Sequence, residues 1–277
     1  MKFKKIASAV LGGVAMLAAG SASAVTFPDF VVNPAPYYAA LPFTADKLTG
    51  NYDEVISFPT ATTFDVSLKF QAGQFVANDG SNPLSAGRTG LGVGYNLYAL
   101  FLGSGTITTA GLVTTLNLNP GGSLNLYIDP GVNTALETTF TKPANGTTPY
   151  IRDAGTFADD VQIVLNAVAS SGQGKLDLTL TTCDANPAGG SGINCGSFGQ
   201  TNNFPLTAAG MLFFVNPTPF YNLAFESGQL NNFDVGGITK NVNGSLDLVF
   251  QTVPEPASIA LVGLSLLGLC FVQRRKS

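Results

Sequence analysis

An all-β fold, an antiparallel β-sandwich of jelly-roll type, is the architecture this 277-residue sequence predicts. Three observations predict it. Apolar and polar residues alternate with a period of two in several central segments, and Gly-, Asn- and Pro-containing turns recur at short intervals between them. No central segment carries an unambiguous helical stripe. Twenty Phe and no Trp point to a core of phenylalanine and aliphatic side chains.

At the start of the chain, Lys2, Lys4 and Lys5 precede an apolar run over residues 6–19. Ala22-Ser23-Ala24 then has the small-x-small form of a signal-peptidase site. Residues 1–24 therefore read as a signal peptide, cut between Ala24 and Val25. The general secretion machinery is its partner.

The strands follow. Residues 53–58 form a short β-type run closed by Pro59. Residues 63–70 place Phe64, Val66, Leu68 and Phe70 on one face and Asp65, Ser67 and Lys69 on the other, as a half-buried strand does. Residues 91–102, aromatic and interrupted by Gly, predict a buried strand with a bulge or bend. Residues 112–118 alternate again, with Leu112, Thr114, Leu116 and Leu118 in phase.

Residues 161–168 fit two periods. Val161, Val164, Leu165 and Val168 make a helical stripe, whereas Val161, Ile163, Leu165 and Ala167 alternate. The β-branched content and the run Ser170-Ser171-Gly172-Gln173-Gly174 favour a strand that turns there, with residues 171–181 returning. Residues 122–126, 174–178 and 244–248 share a Gly-x-Leu-Asx-Leu pattern at unequal separations. They read as one turn-then-strand device used three times, Leu to the core and Asn or Asp to solvent. Residues 143–155, rich in Pro and Gly, are the single plausible seam, and residues 25–252 are assigned to one domain.

Six of the 13 basic residues lie in the terminal segments, as does Glu255 among the 17 acidic ones. Seven basic and sixteen acidic residues remain between 25 and 253, a net charge of −9. So acidic a body argues against nucleic acid, which requires clustered Lys and Arg. Cys270 lies in the tail, leaving Cys183 and Cys195 to bracket a Gly- and Asn-rich stretch. Their spacing is neither C-x-x-C nor a zinc pattern, so a structural disulfide in an oxidising compartment is expected.

With no His in the chain, Ser-His-Asp and Cys-His catalysis and most catalytic zinc sites are excluded. Gly90-Leu91-Gly92-Val93-Gly94 lies in a strand-like stretch and is no phosphate loop. Asp53-Glu54 and Asp159-Asp160 are the carboxylate pairs, but neighbours on a strand point to opposite faces and make no catalytic dyad. Asn78-Asp79-Gly80-Ser81-Asn82 offers clustered oxygens without the spacing or the later Glu of a calcium loop, and reads as a solvated turn. No catalytic residue, metal or cofactor is expected, and the chain is read as no enzyme.

The C-terminal segment, residues 253–277, is an address. Val253-Pro254-Glu255-Pro256 precedes an uncharged apolar run over residues 257–272, roughly 24 Å long as a helix, and then Arg274, Arg275 and Lys276. The basic cluster marks the cytoplasmic side of a single transmembrane helix and places the body of the chain outside. This tail resembles the PEP-CTERM sorting signal of Gram-negative bacteria, and the resemblance implies exosortase as partner and processing near the Pro-Glu-Pro box.

A second resemblance spans the body. Phe27-Pro28-Asp29-Phe30 carries it, with Phe43-Thr44-Ala45-Asp46-Lys47-Leu48 and Gly50-Asn51-Tyr52-Asp53-Glu54. So does the stretch from Phe213 through Pro217, Pro219, Phe220 and Tyr221, with Phe225 and Phe233-Asp234. These segments are similar to the flocculation-associated PEP-CTERM proteins. The resemblance implies a non-enzymatic surface or extracellular-matrix protein that acts in exopolysaccharide-dependent cell aggregation. The membrane is met through the C-terminal helix before processing. The alternative is a carbohydrate-binding module with a defined glycan pocket, for which Tyr37, Tyr38, Tyr95, Tyr98 and Tyr221 would supply stacking faces.

Overall fold

The computed structural model describes residues 27–132, 140–152, 157–183, 195–227 and 238–251. The elements in chain order are β1 (Phe30–Val32), β2 (Phe43–Ala45), β3 (Lys47–Thr60), β4 (Thr63–Ala77), β5 (Asn82–Pro83) and α1 (Ala86–Thr89). Next come β6 (Tyr95–Ala110), β7 (Val113–Leu118), β8 (Gly121–Pro130), β9 (Phe140–Thr141), β10 (Ile151–Arg152) and β11 (Val161–Asp177). The last are β12 (Gly196–Asn202), α2 (Ala208–Phe213), β13 (Phe214–Asn216), β14 (Asn222–Ser227) and β15 (Thr239–Gln251).

The period-two alternation gives each long strand one apolar face, and burying that face dictates the architecture. Strand β3 pairs with β4, β4 with β6, β6 with both β7 and β8, and both of these with β11. Pairing continues through β12, β14 and β15, and β15 returns to β3. Because β7 and β8 lie end to end against the same two neighbours, they act as one wall strand. The result is a closed barrel of eight wall strands, all antiparallel, each beside the next in the chain.

The all-β prediction is met, but the expected sandwich is replaced by this closed up-and-down barrel. Two features let the sheet curl. The β3–β4 register shifts at Thr49/Gly50 and the β8–β11 register shifts three times. At Gly50 a Cβ would stand 2.1 Å from the Gln71 carbonyl oxygen, so only glycine permits that approach of the two strands.

Ser170 to Gly174, expected to turn, instead continues the wall. Strand β11 runs on through this stretch, and Gly172 faces β7 and β12 where a Cβ would press on Leu118 at 3.1 Å and Gln200 at 3.2 Å. The strand expected over residues 161–168 is present, bent at Asn166, which has φ of 50°. Of the three Gly-x-Leu-Asx-Leu stretches, only the first opens a strand; the other two lie in or run out of β11 and β15. Leu124, Leu126, Leu176, Leu246 and Leu248 are buried as expected, with Leu178 half-buried beyond the end of β11.

Inward residues are apolar and outward ones polar, except for Glu54 and Gln200 inside and the cluster of Val55, Tyr98 and Tyr127 outside. Along β3 the buried Leu48, Tyr52 and Ile56 alternate with Thr49, Asn51 and Asp53. Outside, side chains pair across strands: Lys47 with Asp247 at 3.0 Å, Gln173 donating to Asn117 at 2.9 Å, Ser57 with Thr239 at 2.9 Å. A lipid-facing barrel needs an apolar outer band. This wall has the opposite polarity.

One end of the barrel, the base, is plugged. Strands β1, β2 and β13 form a small sheet across it, and α2, capped by the Thr207 hydroxyl accepting from the Gly210 amide at 3.1 Å, packs against β11. Phe30 makes ring contacts with Phe75, Phe214, Phe220 and Phe250 at centroid distances of 4.7–6.5 Å. Both Phe27 and Gln251 lie at this end. The opposite end, the rim, carries the tight turns at residues 61–62 and 111–112 and the bridged Cys183 and Cys195. Residues 143–152 of the expected seam lie on the outside of the wall, where the Gly146 amide donates to Ser57 Oγ at 2.8 Å; residues 153–155 lie outside the described residues.

Candidate functional site

The plug fills the base, and toward the rim the barrel interior opens into a cavity of about 50 Å³. All eight wall strands contribute to its lining, the β7–β8 strand through β7 alone, chiefly with Phe and Leu, and Phe64, Phe101, Phe198 and Phe225 supply the aromatic rings. The polar groups on the lining are Tyr52, Glu54 and Gln200. Tyr52, Glu54 and Ile56 share the inward parity of β3, so the strand delivers a carboxyl into an apolar interior. Gln200 donates to Asn202 Oδ1 at 2.6 Å, which fixes its amide.

Glu54 lies on the lining of the cavity and is half-buried. Burial pushes its pKa up to about 8, and the charge of Asp53 adds to the rise. The Tyr52 hydroxyl is pushed up as well, by burial and then by Glu54. Among the described residues Glu54 is the one carboxyl on this lining. What the arrangement offers is a solvent-shielded acid facing aromatic rings.

A second cluster sits outside the wall beneath the covering segment. Tyr98 stacks on Tyr127 at 5.1 Å, with Phe140, Phe157 and Tyr150 around them. The Arg152 guanidinium lies 4.5 Å from the Tyr127 ring centroid, and Lys69 Nζ lies 5.2 Å from that of Phe140. The Tyr98 hydroxyl donates a short hydrogen bond to Asp160. Burial raises the Asp160 carboxyl above its ordinary range. This is packing that ties the cover to the barrel.

The tyrosines expected to stack on a glycan do not form a platform. Tyr95 and Tyr98 are fully buried, on opposite faces of the wall. Tyr37 and Tyr38 pack against the core, and the Tyr221 hydroxyl donates to the Asp29 carbonyl at 3.0 Å. Asp53 and Glu54 do point to opposite faces. In the turn over residues 78–82 Asp79 accepts from the Phe27 amide at 3.2 Å, the Asn78 carbonyl accepts from the Ser81 hydroxyl at 2.5 Å, and the Gly80 amide donates to Asp46 at 3.1 Å. Cys183 and Cys195 are joined in a disulfide. Ala22, Ala24, Val25, Pro254, Glu255, Pro256, Arg274, Arg275 and Lys276 lie outside the described residues, as does the expected transmembrane helix. Among the described residues no helix is long and apolar enough to cross a membrane.

The signal missed in the sequence is the phase of Tyr52, Glu54 and Ile56, which puts the carboxyl on the same face as two buried residues. The other feature that bears on function starts immediately after β15. Residues 252–276 match the family model of the PEP-CTERM protein-sorting motif. The tail is a PEP-CTERM sorting signal. Such a motif makes the chain an exported protein recognised by exosortase and directed to the cell surface. The chain matches no curated protein and no solved structure. The PEP-CTERM motif thus begins one residue beyond Gln251, at the plugged base of the barrel.

Proposed function

We propose that this PEP-CTERM chain is a non-enzymatic surface protein that acts in exopolysaccharide-dependent cell aggregation, in flocs or biofilm. The observation that carries this reading is the junction at Gln251. A closed, water-compatible barrel passes directly into the sorting motif at its plugged base. Anchored there before processing, the base faces the membrane, and the rim and outer wall face the matrix. The outer wall carries rows of Asn, Thr, Ser and Gln, including the exposed Asn51, Thr106, Thr108 and Asn241, which offer both donors and acceptors to sugar hydroxyls. The resemblance to flocculation-associated proteins supports the role. Its motif residues Phe30, Phe43, Phe213, Phe214 and Phe220 contribute to the base plug, so these residues are accounted for by folding and need no ligand.

The test is floc settling after deletion of the gene, with complementation by the full chain or by a chain stopped at Gln251. The reading predicts loss of settling on deletion and rescue by the full chain alone. Unchanged settling after deletion would exclude the role.

A further inference from the structure

The barrel holds a buried acid that none of the above uses. Glu54 enters the cavity from β3, between Leu68 of β4 and Val242 of β15. Among the described residues no Lys or Arg lines that space, and no hydrogen bond reaches the carboxyl. A charge there is costly unless a cation meets it, and without one the carboxyl keeps its proton. The same cavity presents the rings of Phe64, Phe101, Phe198 and Phe225, whose faces attract cations and whose edges accept an alkyl chain. Two independent features of the lining therefore select the same chemistry. About 50 Å³ gives room for roughly four water-sized positions, a chain of four or five non-hydrogen atoms.

We propose that the barrel cavity is a binding site for a small primary alkylammonium ion, its ammonium paired with the Glu54 carboxylate and its chain lying among the phenyl rings. This site is independent of the aggregation role and stands or falls separately.

Protonation is coupled to the binding. Glu54 has its pKa at about 8, so at pH 7 it is mostly the neutral acid, and entry of an alkylammonium releases close to one proton to solvent. The titratable groups around it are Tyr52 on the same strand and, across the wall, Asp53 and Tyr150. Asp53 is held by Lys142 at 2.7 Å, and Lys69 of β4 points outward over Phe140. The facing strands bring no other charge to the lining. An alkylammonium, like a Lys side chain, keeps its charge through pH 9, so affinity rises about tenfold between pH 7 and pH 9.

Calorimetric titration of the mature protein with n-butylammonium chloride, against n-butanol as the uncharged match, tests the site. Saturable one-to-one binding is expected, with proton release at pH 7 shown by buffers of different ionisation enthalpy. Glu54→Gln should weaken butylammonium at least about tenfold and leave n-butanol little changed. Gly174→Val supplies a second variant: a Cβ there meets Leu116 at an ordinary 3.4 Å, so the fold is kept while the added methyls enter the cavity and reduce binding of both probes. Equal affinity for butanol and butylammonium, no proton release, or no saturable binding would overturn the proposal.

Discussion

Asp53 and Glu54, joined by one peptide bond, stand on opposite sides of the barrel wall. Outside, Asp53 meets Lys142 of the covering segment at 2.7 Å, in an exchange with solvent that contributes little to stability. Inside, Glu54 meets apolar side chains and the cavity. One residue step along β3 thus separates a carboxylate paired with Lys142 from a carboxyl that burial holds in its neutral form up to about pH 8.

That difference has a pH signature. The folded chain keeps the Glu54 proton to about pH 8, whereas the unfolded chain releases it near 4.5. Between these values the native state binds more protons, so stability falls as pH rises through the window, by on the order of 3–5 kcal/mol in all. Glu54→Gln removes this slope. Urea unfolding of parent and variant should show similar stability near pH 4 and a variant more stable by a few kcal/mol at pH 8. Parallel curves across the window would show that Glu54 is ionised in the native barrel.

The wall predicts opposite outcomes at two glycines. A Cβ at Gly105 would lie 2.2 Å from the Asn117 carbonyl oxygen and 2.3 Å from the Phe64 ring, where β6 meets β4 and β7. At Gly199 the nearest atom, the Phe225 carbonyl oxygen, is 3.8 Å away. Gly105→Ala should cost about 2–4 kcal/mol, and Gly199→Ala less than about 1 kcal/mol. Thermal unfolding distinguishes them, and equal midpoints would mean that the β4–β6 side of the barrel is not closed as described.

The rim disulfide closes a short loop between β11 and β12. Cys183→Ser, or reduction of the parent, should lower stability by about 3 kcal/mol through the freed unfolded chain. Denaturant titration with and without reductant measures it; no change on reduction would mean the thiols are not bridged.

Alternation made the strands legible. Phe64, Val66, Leu68 and Phe70 face the interior as their spacing requires, and the Phe-rich composition becomes the base plug. Closure was not legible, because a sandwich and a barrel use the same alternating antiparallel strands. What decides between them is the pairing of β4 with β6 and of β15 with β3, and the latter joins residues far apart in the chain. The Ser-Gly run in β11 misled for a related reason: Gly172 relieves crowding against Leu118 and Gln200 in the wall, and glycine in a turn carries the same local signature. Tyr98 occupies an outward position that would be solvent-facing on an open sheet. It is buried because Phe140, Phe157 and Tyr150 arrive from the covering segment. Glu54 was visible as half of an adjacent pair. Its role in the cavity needed the closed barrel.

The most direct measurement on the account as a whole is the intact mass and location of the mature chain in cells with and without exosortase. The account predicts a surface-fraction species beginning at Val25 and ending near Pro254-Glu255-Pro256, lost when exosortase is removed. A chain that still carries Arg274, Arg275 and Lys276 and stays inside cells with active exosortase would contradict it.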